Sequence, residues 1–172
     1  MLLFAEFDNV KSNPKMINME IVASQSEVLF MTDIDQLDFS MIKMKLKDKE
    51  EGQGWTRKQC NEAEVEYKRF LALKRTYPTL EVVPNKAIDM FWHQHILDTA
   101  KYADDCEQVF GYFLHHYPYF GMNGEQDAEN LNNAFEETKV LYKKHFGIDY
   151  VGQAPKCKAP KCRTACKPMK CR

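Results

Sequence analysis

Pro84-Asn85-Lys86-Ala87-Ile88-Asp89-Met90-Phe91-Trp92-His93-Gln94-His95-Ile96-Leu97-Asp98-Thr99 is the stretch from which the fold reads. Ile88, Phe91, Trp92, His95 and Thr99, followed by Tyr102, Ala103, Cys106 and Phe110, recur at helical spacing up to Gly111. Pro84 suits the first turn of such a helix, where its missing N–H leaves no backbone partner unpaired. Asp98 or Thr99 can cap a fresh helix, so the stretch reads as two helices joined by a bend.

The same periodicity extends in both directions. Upstream, Ile34, Leu37, Met41, Ile42 and Leu46 form a helical pattern that Gly52 and Gly54 end. Thr56 and Gln59 carry the spacing of a capping box. The helix they open places Cys60, Ala63, Tyr67, Phe70, Leu71 and the stem of Lys74 on one side. Tyr77-Pro78 stops it, because the residue before a proline is pushed out of the α region. Downstream, residues 112–126 hold Pro118, Gly121 and Gly124 among aromatics, the composition of an ordered loop packed by its own side chains. A last helix is expected from about Ala128 to Phe146, with Leu131, Ala134, Phe135, Thr138, Leu141, Tyr142 and His145 as its stripe and Gly147 just beyond its end. The expectation is an all-α protein, a compact bundle of about four to five helices with an irregular aromatic loop and a disordered C-terminal tail. It divides into an N-terminal arm of unclear structure over 1–32, a helical domain over 33–150 and a basic, cysteine-rich tail over 151–172.

Composition agrees with one packed domain. The chain has 172 residues, 44% of them hydrophobic, 12% aromatic and 28% charged, which suffices for a core and argues against disorder of the whole. No run approaches the roughly 20 apolar residues that span a bilayer. Met1-Leu2-Leu3-Phe4-Ala5-Glu6 lacks the basic and long apolar regions of a secretory leader, so an intracellular, cytoplasmic protein is expected. The net charge of −1 hides an asymmetry. Residues 155–172 carry seven cations and no acid, which leaves −8 on the rest. The body is therefore a poor non-specific nucleic-acid binder, whereas the tail could hold an acidic protein, a membrane surface or nucleic acid. No phosphate loop, dinucleotide fingerprint or nucleophile elbow is present.

Four of the five histidines, His93, His95, His115 and His116, fall within 24 residues. Residues two apart on a helix point about 200° away from each other, so His93 and His95 share an ion only if the helix breaks near His95. Asp89 sits one turn before His93 on the same face, as a paired ligand or as an acid that orients the imidazole. His95 lies in the aromatic stripe with Asp98 and Thr99 one turn on, either of which could bond it. A histidine on such a face is more often a satisfied core residue. Of His115 and His116, one should point inward and the other outward. His145 reads as a core residue or a partner of the helix dipole, not as a ligand.

These residues carry a resemblance. Asp89-Met90-Phe91-Trp92-His93-Gln94-His95, Tyr102, Asp105-Cys106, Gly111, His116, Phe135-Glu136-Glu137-Thr138 and Phe146-Gly147 resemble the glycine-rich domain-containing protein-like family, over residues 34–150. The resemblance implies a helical fold and joint action of His93, His95 and His116, and it implies no reaction. Plant relatives are linked to development and stress responses, sometimes with RNA-binding segments. This chain departs from the pattern in two ways. It has seven glycines and no glycine-rich region, and Tyr117-Pro118 stands where relatives often have acids.

Three functions compete. In the first, His93, His95 and His116, with Asp89, bind one divalent ion, zinc by preference. Asp98, Thr99 and Trp92 orient them, and an open fourth position would allow a metal-activated water. In the second, the histidines are structural and Tyr112, Phe113, Tyr117, Tyr119 and Phe120 form an aromatic loop for a protein partner, with no catalysis. The third concerns the tail, where Ala154-Pro155-Lys156-Cys157-Lys158 is repeated as Ala159-Pro160-Lys161-Cys162-Arg163. Cys157, Cys162, Cys166 and Cys171 there could wrap a soft metal ion or exchange disulfides, and their cationic neighbours lower the thiol pKa. Cys60 and Cys106, alone inside helical patterns, read as buried thiols.

Overall fold

Local capping chemistry sets where each helix begins. The computed structural model describes residues 31–154, so the expectations for the N-terminal arm and for the cysteines of the tail lie outside the described residues. Within them the protein is all-helical, with α1 at Thr32–Asp35, α2 at Ser40–Lys47, α3 at Arg57–Thr76, α4 at Lys86–Leu97, α5 at Thr99–Phe110 and α6 at Glu125–Phe146. The four to five helices expected are the five longer ones, and α1 is a single added turn.

The first expected helix is in fact two. Asp38 turns back on the chain, its carboxylate accepting from the Ser40 backbone N–H at 2.9 Å and from the Ser40 hydroxyl at 3.0 Å, and this restarts the helix at Ser40. The restart shifts the phase of the pattern. Met41, expected inside, is exposed, and Phe39, which the periodicity skipped, is buried between Tyr67, Phe91 and His95. The capping box that opens α3 forms as expected. The Thr56 N–H donates to Gln59 Oε1 at 2.9 Å and the Gln59 N–H to Thr56 Oγ1 at 3.2 Å. Pro84 does not occupy the first turn of α4. Asn85 caps that helix instead, its side-chain oxygen accepting from the Ile88 N–H at 3.0 Å, because a side-chain acceptor at the cap satisfies a donor that proline can only delete.

The bend expected near Asp98 is present, since that residue both ends α4 and precedes α5. Gly111 and Gly147 close α5 and α6 with positive φ of 71° and 69°, the left-handed conformation that glycine reaches without a Cβ clash. α6 starts three residues earlier than expected, and Asp127 in its first turn accepts from the backbone N–H groups of Gly121 (2.7 Å) and Asn123 (3.0 Å). A Cβ at Gly121 would stand only 2.6 Å from Leu131 Cδ2, so the loop is pinned to the helix.

α3 and α4 form the centre, with α2 against both, α5 against α4 and α1 on α3. α6 adds Ala134, Phe135 and Tyr142 to the core, and polar contacts tie it to the rest of the fold. Thr138 Oγ1 accepts from the Val83 N–H at 2.9 Å, Arg69 donates to Tyr142 Oη at 3.1 Å, and Tyr142 donates to Glu66. The core is aromatic, with Tyr67, Phe70, Phe91, Trp92, Tyr102 and Tyr142 all buried. Among the described residues no helix is long and apolar enough to cross a membrane.

Candidate metal site

Asp89 and His93 are four residues apart on α4, so the helix alone places them on one face. His116 arrives from the segment after α5, and a relay of buried aromatic residues brings it there. Trp92 Nε1–H donates to Tyr102 Oη at 2.9 Å, and the Tyr102 hydroxyl donates to the Leu114 carbonyl at 2.5 Å. With Leu114 anchored inside, His115 faces solvent and His116 turns in, the alternation expected of an extended segment. The His116 ring then packs edge-on against Trp92 and against His93, with centroids 4.5 Å apart in each pair.

The result is a two-histidine, one-carboxylate cluster. His116 Nε2 lies 3.2 Å from Asp89 Oδ1, and His93 Nδ1 lies 3.5 Å from the same oxygen. His93 Nδ1 is also 2.6 Å from the Asp89 carbonyl, which fixes the ring. One ligand atom from each of Asp89, His93 and His116 lies within 4.8 Å of the others. Burial is graded. The His116 and Asp89 side chains are 13% and 19% exposed and His93 is 50% exposed, so the cluster opens to solvent on the His93 side.

His95 is not part of it. α4 stays regular to Leu97, so the break that would have let His93 and His95 share an ion is absent, and His95 faces the core. Its Nδ1 is 2.9 Å from Tyr67 Oη. Burial holds the Tyr67 phenol far up, so Tyr67 donates and His95 accepts. That leaves the proton on Nε2, which is 3.0 Å from Asp105 Oδ2 but not aligned for a hydrogen bond with it. Lys101 Nζ in turn grips both Asp105 oxygens at 2.8 and 3.0 Å. Burial, reinforced by the Lys101 charge and opposed by Asp98, pushes the His95 imidazole down to about 3. The adjacent cavity, lined by Tyr67, His95, Tyr102 and Asp105, holds about 10 Å³, room for nothing larger than a water molecule.

The residues expected to orient His95 are also reassigned. Asp98 and Thr99 are exposed at the α4–α5 junction, and the Asp98 backbone N–H donates to the His95 carbonyl at 3.1 Å, not to its ring. Tyr67 and Asp105 take that place. Tyr67 was visible only as a member of a core stripe, and Asp105 only as part of the resemblance. Trp92 instead packs on His116. His145 bonds Tyr77 Oη at 2.8 Å, away from the cluster. Cys60 and Cys106 are buried free thiols whose pKa values burial raises.

Fold and site together define a helical domain that presents one Asp/His/His cluster on its central helix and the segment after α5. The chain belongs to the UCP032817-like family, an uncharacterised family whose model matches residues 31–140, a span that includes every residue of the cluster. No curated protein and no solved structure matches it.

Proposed function

We propose that this domain binds one divalent metal ion, zinc most readily, through Asp89, His93 and His116. The convergence of three ligand groups from two separate segments within 4.8 Å carries the reading. Two imidazoles and one carboxylate form a donor set that suits zinc, and three protein ligands leave a further coordination position on the exposed His93 side. The Trp92–Tyr102–Leu114 relay supports the reading, because it places His116 without using its ring nitrogens. The Trp92-His93-Gln94-His95 signature, which resembles the glycine-rich domain-containing protein-like pattern, would then combine one ligand, His93, with two structural residues, Trp92 and His95.

Zinc titration of the chain with Cys157, Cys162, Cys166 and Cys171 all changed to serine tests the site apart from the thiols. About one zinc per chain is expected, with a raised melting temperature, and His116→Ala should abolish both effects. A folded protein that takes up no zinc and melts unchanged would end the proposal.

A second reading rests on the aromatic loop. Tyr117 and Tyr119 are 63% and 57% exposed, and Tyr112 and Phe113 are each 46% exposed, an amount of aromatic surface that suits a protein partner. Tyr117→Ala and Tyr119→Ala are expected to shift the melting temperature by no more than about 2 °C, within the range of surface substitutions. A larger loss would show the loop to be core and remove this reading.

A further inference from the structure

We infer that Asn123-Gly124 is a self-modifying site, at which the Gly124 backbone nitrogen displaces ammonia from the Asn123 side chain and leaves aspartate or isoaspartate in its place. The reaction needs no metal and does not depend on the reading of Asp89, His93 and His116.

Sequence and geometry coincide at this one step of the chain. It is the single Asn-Gly pair in the sequence. Glycine has no side chain to obstruct a five-membered ring closing on its nitrogen. Gly124 precedes α6 with φ 96° and ψ −177°, and a Cβ built there would meet nothing within 4 Å. Its N–H has no acceptor among the described residues, and Asn123 and Gly124 are both exposed. The Asn123 side-chain amide is loosely held, since Nδ2 reaches Tyr117 Oη only at 3.5 Å. α6 has no side-chain cap, so the unpaired N–H groups of its first turn favour negative charge as the Gly124 nitrogen loses its proton.

The other asparagines of the described residues lack these features. Asn85 is buried, and its side chain accepts from the Ile88 N–H and donates to the Val151 carbonyl, each at 3.0 Å. Asn61, Asn130, Asn132 and Asn133 lie within α3 and α6, where helical hydrogen bonds hold the next N–H.

Water is the only co-reactant. The Gly124 nitrogen bonds to Asn123 Cγ, the Cγ–Nδ2 bond breaks, and the proton from the Gly124 nitrogen leaves with Nδ2 as ammonia. Water then opens the cyclic imide. Attack at Cγ gives aspartate, and attack at the Asn123 backbone carbonyl carbon gives isoaspartate, whose main chain carries one extra methylene. Either product sets a carboxylate beside Asp127, whose Oδ2 accepts from the Asn123 N–H at 3.0 Å and from the Gly121 N–H at 2.7 Å. Like charges so placed repel. Those two bonds pin the aromatic loop to α6, so the modification loosens the segment that carries Tyr117 and Tyr119.

The full chain, folded at neutral pH in water enriched in heavy oxygen, is incubated beside a sample unfolded in urea, and both are digested at acid pH for mass spectrometry. The peptide holding Asn123 is expected to take up one heavy oxygen and to split into aspartate and isoaspartate isomers. Its rate in the folded chain should lie within about tenfold of the unfolded rate, as for an amide the fold does not protect, while Asn85 keeps its mass. Asn123→Gln, which would need a six-membered ring, should stay unmodified over the same interval. A larger slowing in the folded chain, or aspartate as the sole product, would overturn the site. Amide hydrogen exchange at Gly121 reads the consequence and should be faster in the modified chain than in the fresh one. Equal exchange in the two would overturn the loosening of the loop.

Discussion

Trp92→Ala is expected to lower the unfolding free energy by about 4 kcal/mol, the range for deleting a large buried aromatic side chain. Trp92 is buried against Phe70, with ring centroids 5.1 Å apart, and its loss leaves a void between α3 and α4. It also leaves Tyr102 Oη without its donor and His116 without the ring it packs on. Trp92→Phe separates these effects. It keeps most of the packing and loses the N–H, so about 1–2 kcal/mol is expected from the unpaired acceptor. Urea unfolding followed by circular dichroism measures both. Zinc affinity should fall about tenfold in Trp92→Ala, as for loss of a group that orients a ligand. A total loss below about 1 kcal/mol in Trp92→Ala would show that the relay does not hold the segment 114–116.

How much of this was legible depends on how far each determinant lies along the chain. The α3 capping box needs only Thr56 and Gln59, and it reads correctly from the sequence. The division of α1 from α2 is equally local, yet Ile34, Leu37 and Met41 keep helical spacing across it, so periodicity masks the turn that Asp38 makes with Ser40. Phe39 was lost with it, because a restart changes which residues face inward. In the site, Asp89 and His93 were readable from their spacing on one helix. The arrival of His116 was not, since it depends on Tyr102 holding the Leu114 carbonyl and on Trp92 holding Tyr102. The direction of His95 follows from helix geometry, but its partners do not. Tyr67 is on another helix, and Asp105 comes into range only because α5 folds back along α4 after Asp98.

That buried pair gives the fold a pH dependence of definite sign. His95 is neutral in the folded protein, held down to about 3 chiefly by burial, whereas in the unfolded chain it titrates near its usual 6.5. Below pH 6.5 the unfolded state binds a proton that the folded state refuses, so this stabilisation is complete above 6.5 and is lost as pH falls toward 3. The slope is about 1.4 kcal/mol per pH unit while only the unfolded histidine titrates, or about 2 kcal/mol between pH 6.5 and 5. That interval lies above the range in which most carboxylates protonate. Asp105, Lys101 and Tyr67 surround the imidazole, the exposed Asp98 carboxylate acts on it only through its charge, and Lys101 already neutralises Asp105, which keeps that carboxylate from drawing a second proton onto His95. His95→Gln keeps polar atoms near Tyr67 and Asp105 but cannot titrate. It should be less stable at pH 7 by about 2 kcal/mol, and the gap to wild type should close as pH falls from 6.5 to 5. Paired urea titrations across that interval measure the gap, and a constant difference would mean that the folded His95 takes up its proton as readily as the unfolded one.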